Sequence, residues 1–150
     1  MSDRLSRVVA GLAILGAAIA GYLTWVHFAE LEPFCVGGGG ACERVQSSPY
    51  ASLGGVPVAV LGAAGYLAIL ASLALADRSV TAFLALVGAG FSAYLTYLEL
   101  EVIHAICQWC VASAVVMTAL AIAAIARLLA AAENYGADAW SSRSNTAPES

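Results

Sequence analysis

Four long apolar runs constrain this chain more than anything else in its sequence. They cover residues 8–28, 56–76, 79–98 and 102–126, and none holds a charged side chain. A helix needs about 20 apolar residues, at about 1.5 Å each, to cross a bilayer core. Each run meets that length. Glycine and alanine are spread through all four, which suits close helix–helix contact in lipid. The expectation is an all-α membrane protein. Its core is a four-transmembrane-helix bundle, and a cysteine-bearing outer loop caps the outer face.

Composition agrees. Hydrophobic residues make up 61% of the 150 and charged residues 11%, against about 25% charged in soluble domains. The net charge is −4 and no basic stripe exists, so no nucleic-acid partner is expected. One membrane domain is predicted over residues 1–132. Residues 133–150 are rich in Ser, Asn, Ala and charge, and read as a disordered cytoplasmic tail.

Arginine sets the orientation, because the chain has no lysine. Arg4, Arg7, Arg78, Arg127 and Arg143 fall on one side of the spans, and only Arg44 on the other. The richer side is cytoplasmic. Both termini are therefore expected in the cytoplasm of a multi-pass plasma-membrane protein, with residues 29–55 and 99–101 outside. The first run resembles a signal peptide with Ala18-Ile19-Ala20 as its cleavage site. Apolar sequence continues to Phe28, too long for a signal core, so an uncleaved span is expected.

All four cysteines fall on the outer side, where disulfides form and persist. Cys107-Gln108-Trp109-Cys110 opens the fourth span. Three residues apart on a helix, its thiols share a face. A helix N-terminus favours thiolate over thiol. Cys110 lies about 4.5 Å deeper along the axis, so Cys107 is expected to face water and Cys110 the lipid. Cys35 and Cys42 form a second pair around Gly37-Gly38-Gly39-Gly40, a flexible hinge. Residues 41–47 can form a short surface helix, which Pro49 stops. Pro57 opens span two.

A mobile pair outside and a helix-anchored pair inside make a two-step electron relay by disulfide exchange. The terminal acceptor must sit beside Cys110 among apolar spans, where a lipid-soluble quinone fits. Two alternatives use the same residues: structural disulfides in an exported loop, or a zinc site with four thiolates. A transport or metal-binding module is a further class. The spans carry no central carboxylate or histidine to support transport.

His104 precedes Cys107 by three residues. If the helix starts that early, His104 shares its face and can stabilise the thiolate or pass a proton. An interfacial histidine without a chemical role is the commoner case, and His27 is read that way. Glu99 and Glu101 read as a solvated link. Tyr22-Leu23-Thr24-Trp25 and Tyr94-Leu95-Thr96-Tyr97 each begin thirteen residues before a cysteine, a weak repeat best explained by interfacial aromatics.

Cys35, Cys42, Ser48 six residues later, and Cys107 with Cys110 together resemble the vitamin K epoxide reductase family. Cys42-Glu43-Arg44-Val45 and Gly55-Val56-Pro57 support the likeness, which runs from about residue 22 to residue 124. Other quinone-linked thiol oxidases place a C-x-x-C in their first outer loop, whereas here the order is reversed. The resemblance implies that Cys35 takes electrons from a thioredoxin-fold thiol oxidase. Cys42 shuttles them to Cys107, Cys110 reacts with the quinone, and Ser48 steadies the loop. Ser48 alone also fits an ordinary turn serine. No fused thioredoxin-like domain is present, so a separate periplasmic or extracellular partner is implied.

Vertebrate members carry an Asn in span two and a Tyr four residues after the last cysteine. Val58 and Ala114 stand there, which favours plain quinone reduction over epoxide reduction. The acceptor would be a menaquinone, ubiquinone or vitamin K-type quinone, with no metal. Val58, Leu61, Ala114, Tyr22 and Tyr94 are the candidate pocket residues, and coumarin-type compounds are candidate competitors there.

Overall fold

The computed structural model of the chain describes residues 2–35 and 40–145. The first helix, α1, spans Ser2–Phe28. A short helix α2, Ala41–Gln46, follows the loop after α1. A 3-10 turn at Pro49–Ala51 and a two-stranded ladder, β1 Ser52–Leu53 with β2 Val56–Pro57, lead into α3, Val58–Ala74. The helix α4 covers Arg78–Tyr97 and runs on as a π-helix over Leu98–Ile103. The last helix, α5, begins at Gln108 and runs to Asn145.

The long helices close a ring in which α1 packs on α3 and α5, and α4 packs on the same two. Small residues make this closeness possible. A Cβ on Gly16 would run into the Tyr66 ring, and one on Gly88 would lie 2.8 Å from the Met117 side chain. Tyr66 and Leu120 are consequently buried at the centre, with Val9, Ala13, Ala85 and Ala124 around them. The large residues Leu15, Leu67, Phe83, Val115 and Ile122 point outward instead. Apolar surface on this scale needs lipid to cover it. Among the described residues, three helices are long and apolar enough to cross a membrane, and α3 is a further, shorter apolar helix of 17 residues. Seventeen is at the lower end of the spanning range, about 17–25 residues.

The α3–α4 turn shows why the hairpin folds as it does. Asp77 caps α4, its carboxylate accepting the Val80 N–H at 3.0 Å. Thr81 donates to the Asp77 carbonyl at 2.6 Å and shares a hydrogen bond with Ser72 at 2.9 Å. Both hydroxyls are buried and satisfied, so the turn is locked without a long loop.

Several sequence expectations shift. The expected surface helix is present as α2, and Pro49 opens the next turn rather than continuing it. Two short strands interrupt an otherwise helical chain, because Gly54 and Gly55 at φ +59° and +87° make a tight turn between them. Span four does not begin at residue 102: the chain runs irregularly from His104 and turns helical at Gln108. Residues 133–145, read from sequence as tail, continue α5 as helix. Ala130 to Ala132 are strong helix formers, and no proline interrupts before Pro148. Of the glycine hinge, residues 37–39 lie outside the described residues, as do residues 146–150 of the tail.

Candidate active site

The four cysteines meet at one end of the bundle. Cys42 and Cys107 are buried in one small cluster with Val45 and Ala105, and Cys35 and Cys110 pack against it. Cys35 and Cys42 are joined as a disulfide with Cα atoms 6.4 Å apart, while Cys107 and Cys110 are free thiols. Gly40, at φ +60°, turns the chain into α2 and so brings Cys42 down onto the bundle.

Loop and bundle are tied at the residue before Cys35. The Phe34 carbonyl accepts the Trp109 indole N–H at 2.7 Å and the Gln108 amide at 3.2 Å. The Phe34 N–H donates to the Tyr22 hydroxyl at 3.2 Å, and the Tyr22 and Trp109 rings lie 5.0 Å apart. The two residues between Cys107 and Cys110 therefore hold the backbone that presents Cys35.

Cys107 starts α5: its carbonyl accepts the Val111 N–H at 3.0 Å. It is fully buried, not water-facing as the depth argument expects, because α2 and Cys42 cover it. Its thiol is pulled down to about 7, chiefly by a hydrogen bond from the Cys110 thiol. Burial opposes this, backbone N–H groups of Cys110 and Trp109 assist it, and the nearby Glu99 carboxylate opposes it. The helix-start amides thus do what the sequence argument requires.

Glu99 corrects the sequence reading most sharply. The alternation Glu99-Leu100-Glu101 predicts a solvated link, and Glu101 is indeed exposed. Glu99 is only 4% exposed. The wider π turn, closed by His104 at φ +51°, rotates its side chain inward. One carboxylate oxygen accepts the Cys107 N–H at 3.0 Å, and the carboxyl group also hydrogen-bonds the Cys110 thiol. A carboxylate beside a long apolar run is the signal that finds it. His104 is off the α5 face altogether: it is exposed, and its Nδ1 lies 3.0 Å from the Leu100 carbonyl.

A cavity of about 1020 Å³, its open mouth included, runs from this cluster into the bundle between α1, α3, α4 and α5. Cys110 and Glu99 line it, as do Val58, Leu61, Ala114 and Ser48. The Ser48 hydroxyl donates to the Val45 carbonyl at 2.8 Å, at the end of α2. Of the other pocket candidates, Tyr22 stacks on Trp109 and Tyr94 is half-exposed, and neither lines the cavity. Tyr66, absent from the sequence reading, does line it and bonds Ser113 at 3.0 Å. A second groove, the outer groove, lies away from the residues that line the cavity and is lined by Glu32, Phe34, Cys35, Cys42 and Glu43.

This geometry gives two dithiol centres in contact. One is reachable from the outer groove and one from the apolar cavity. The model of the vitamin K epoxide reductase family matches residues 7–125, most of the chain. With the four cysteines at the positions described, the chain belongs to the vitamin K epoxide reductase family.

Proposed function

We propose that this protein is a quinone-dependent thiol–disulfide oxidoreductase of the plasma membrane. It oxidises the dithiol of a separate thioredoxin-fold protein outside the cell and reduces a quinone in the bilayer. The observation that carries this reading is the division of labour at the cysteines. The oxidised pair, Cys35–Cys42, borders the outer groove, and the free Cys110 borders the apolar cavity. Apolar cavities with a few polar groups suit small ligands.

Electrons enter when a partner thiolate attacks the Cys35–Cys42 disulfide. Cys42, freed as a thiolate, attacks Cys107 of the inner disulfide and frees Cys110. The partner's second thiol then releases Cys35, which attacks Cys42 and frees Cys107, so the outer disulfide re-forms and the inner pair becomes the dithiol. The pairing of Cys35 with Cys42, with Cys107 and Cys110 free, is the one this order of transfer leaves behind. Electrons then leave from Cys110 to the quinone. In this reading all four apolar helices span the bilayer, both termini are cytoplasmic, and coumarin-type compounds compete in the cavity.

The test is Cys110→Ala in the purified chain with a dithiol donor and a short-chain quinone. Quinone reduction should fall to background, while a thioredoxin-fold partner still exchanges with Cys35. Equal loss of both activities contradicts the order of the relay.

A further inference from the structure

We propose that Glu99 is the proton-transfer group of the inner dithiol, taking the Cys110 proton and delivering it to a quinone oxygen in the adjoining cavity. The proposal rests on the functional reading above and adds to it a residue outside the cysteine motifs.

Burial is the first reason. A carboxylate out of water is expensive unless it is hydrogen-bonded or serves a function. The partners of Glu99 are the Cys107 N–H and the Cys110 thiol, not a cation. Placement is the second. Glu99 and Cys110 line the same cavity, so the carboxyl group reaches both the sulfur and the space where a quinone would sit. The other titratable groups along that cavity are Tyr50 and Tyr66, and the Tyr66 hydroxyl is engaged by Ser113. The charged residues of α2, Glu43 and Arg44, point to solvent. Glu99 is thus the one carboxylate beside the reacting thiols among the described residues. The backbone is the third. A π turn places this residue, and such turns recur at functional sites.

The step balances as follows. The Glu99 carboxylate takes the Cys110 thiol proton, breaking the S–H bond. The Cys110 sulfur yields its electron pair to the quinone as the Cys107 thiolate bonds to it, forming the disulfide. One quinol oxygen receives the Glu99 proton, and the other receives a proton from water. One thiolate and one thiol become a disulfide, quinone becomes quinol with one proton from Cys110 and one from solvent, and Glu99 returns to carboxylate.

A purely structural role is the competing account, since Glu99 also accepts a backbone N–H at the start of α5. Glu99→Gln separates the two: a glutamine oxygen still accepts that N–H but cannot carry the proton. In the pre-reduced full-length chain, single-turnover quinone reduction should slow by about 100-fold or more, the usual worth of a positioned acid–base group. Quinone KM should stay near wild type, one limb of the pH–rate profile should vanish, and Glu99→Asp should recover part of the rate. Exchange of a small dithiol with Cys35–Cys42 should persist in Glu99→Gln. Wild-type turnover in Glu99→Gln overturns the proposal, and so does equal loss of outer exchange. Should the variant fail to fold, the wild type still decides. Its single-turnover quinone reduction should be slower in heavy water, because a proton moves in the step, and a rate unchanged in heavy water overturns the relay. A wild type that reduces no quinone overturns the functional reading and the relay together. An active wild type with an indifferent Glu99→Gln overturns the relay alone.

Discussion

The two cysteine pairs sit in opposite settings. Cys35 and Cys42 are seven residues apart, one just before the loop and one on α2, and both are placed by borrowed contacts: Tyr22, Gln108 and Trp109 hold Phe34, and α2 rests on the bundle. Cys107 and Cys110 are three apart at a helix start; the helix backbone supplies their geometry, and the Cys110 thiol, helped by the first amides, draws the Cys107 thiol down. In the proposed relay the loop pair supplies the sulfur that moves between partners, whereas the helix pair stays in place and receives it at Cys107. A relay needs one of each. Disulfide exchange requires a sulfur that travels, and delivery to a membrane-dissolved acceptor requires one that stays beside the cavity.

Removing one member of the travelling pair gives the largest effect. Cys35→Ala leaves Cys42 with no loop partner, yet still in the same buried cluster as Cys107. A Cys42–Cys107 disulfide should accumulate as the dominant species, and oxidation of the protein partner should stop. Non-reducing peptide mapping reads both pairings. If only Cys107–Cys110 is found, the two bridges are independent and structural, and the contrast between travelling and fixed pairs fails.

How much of this could be read from the sequence follows the same divide. The helix pair was legible, because spacing alone puts Cys107 and Cys110 on one face of a turn. The four apolar runs were legible because hydropathy is local, and α2 was legible from Pro49. What escaped depends on how separate segments meet. The burial of Cys107 comes from α2 folding over it. The inward turn of Glu99 comes from a π-helix and a left-handed His104, neither written in any periodicity. Tyr66 enters the cavity wall only because Gly16 on α1 leaves room for its ring. The Phe34 clamp joins residues 12 and 75 positions apart. Val58, Leu61 and Ala114 could be named as neighbours, since a position on a straight helix follows from counting. Tyr22 and Tyr94 were misjudged because aromatic character says nothing about which face a ring takes.

A smaller effect is expected at the cavity wall, where the fixed pair meets its acceptor. Ala114 lies one helical turn beyond Cys110 and lines the cavity. Ala114→Trp should fill part of that space and raise the quinone KM by about tenfold, the scale of a lost apolar subsite contact. Partner exchange at Cys35 should be untouched, since the outer groove shares no lining residue with the cavity. Steady-state kinetics with the quinone varied at fixed dithiol separate the two. A variant with normal quinone kinetics would remove Ala114 from the pocket.

The smallest effect sharpens the electrostatic half of the contrast. The Cys107 thiol sits at about 7, held there mainly by the Cys110 hydrogen bond. Below that pH the inner dithiol carries two protons, and reducing the disulfide takes up two protons with two electrons. Above it Cys107 is a thiolate and reduction takes up only one. A tenfold change in equilibrium for a two-electron couple is about 30 mV, so the midpoint potential should fall by about 59 mV per pH unit below 7 and about 30 mV above. The sign is fixed: a depressed pKa stabilises the reduced form as pH rises through it, so the slope must flatten and not steepen. Redox titration in a Cys35→Ala/Cys42→Ala background isolates the inner pair. A single slope of about 59 mV through pH 8 would mean that the helix start does not hold Cys107 as a thiolate. The helix pair would then differ from the loop pair in position alone.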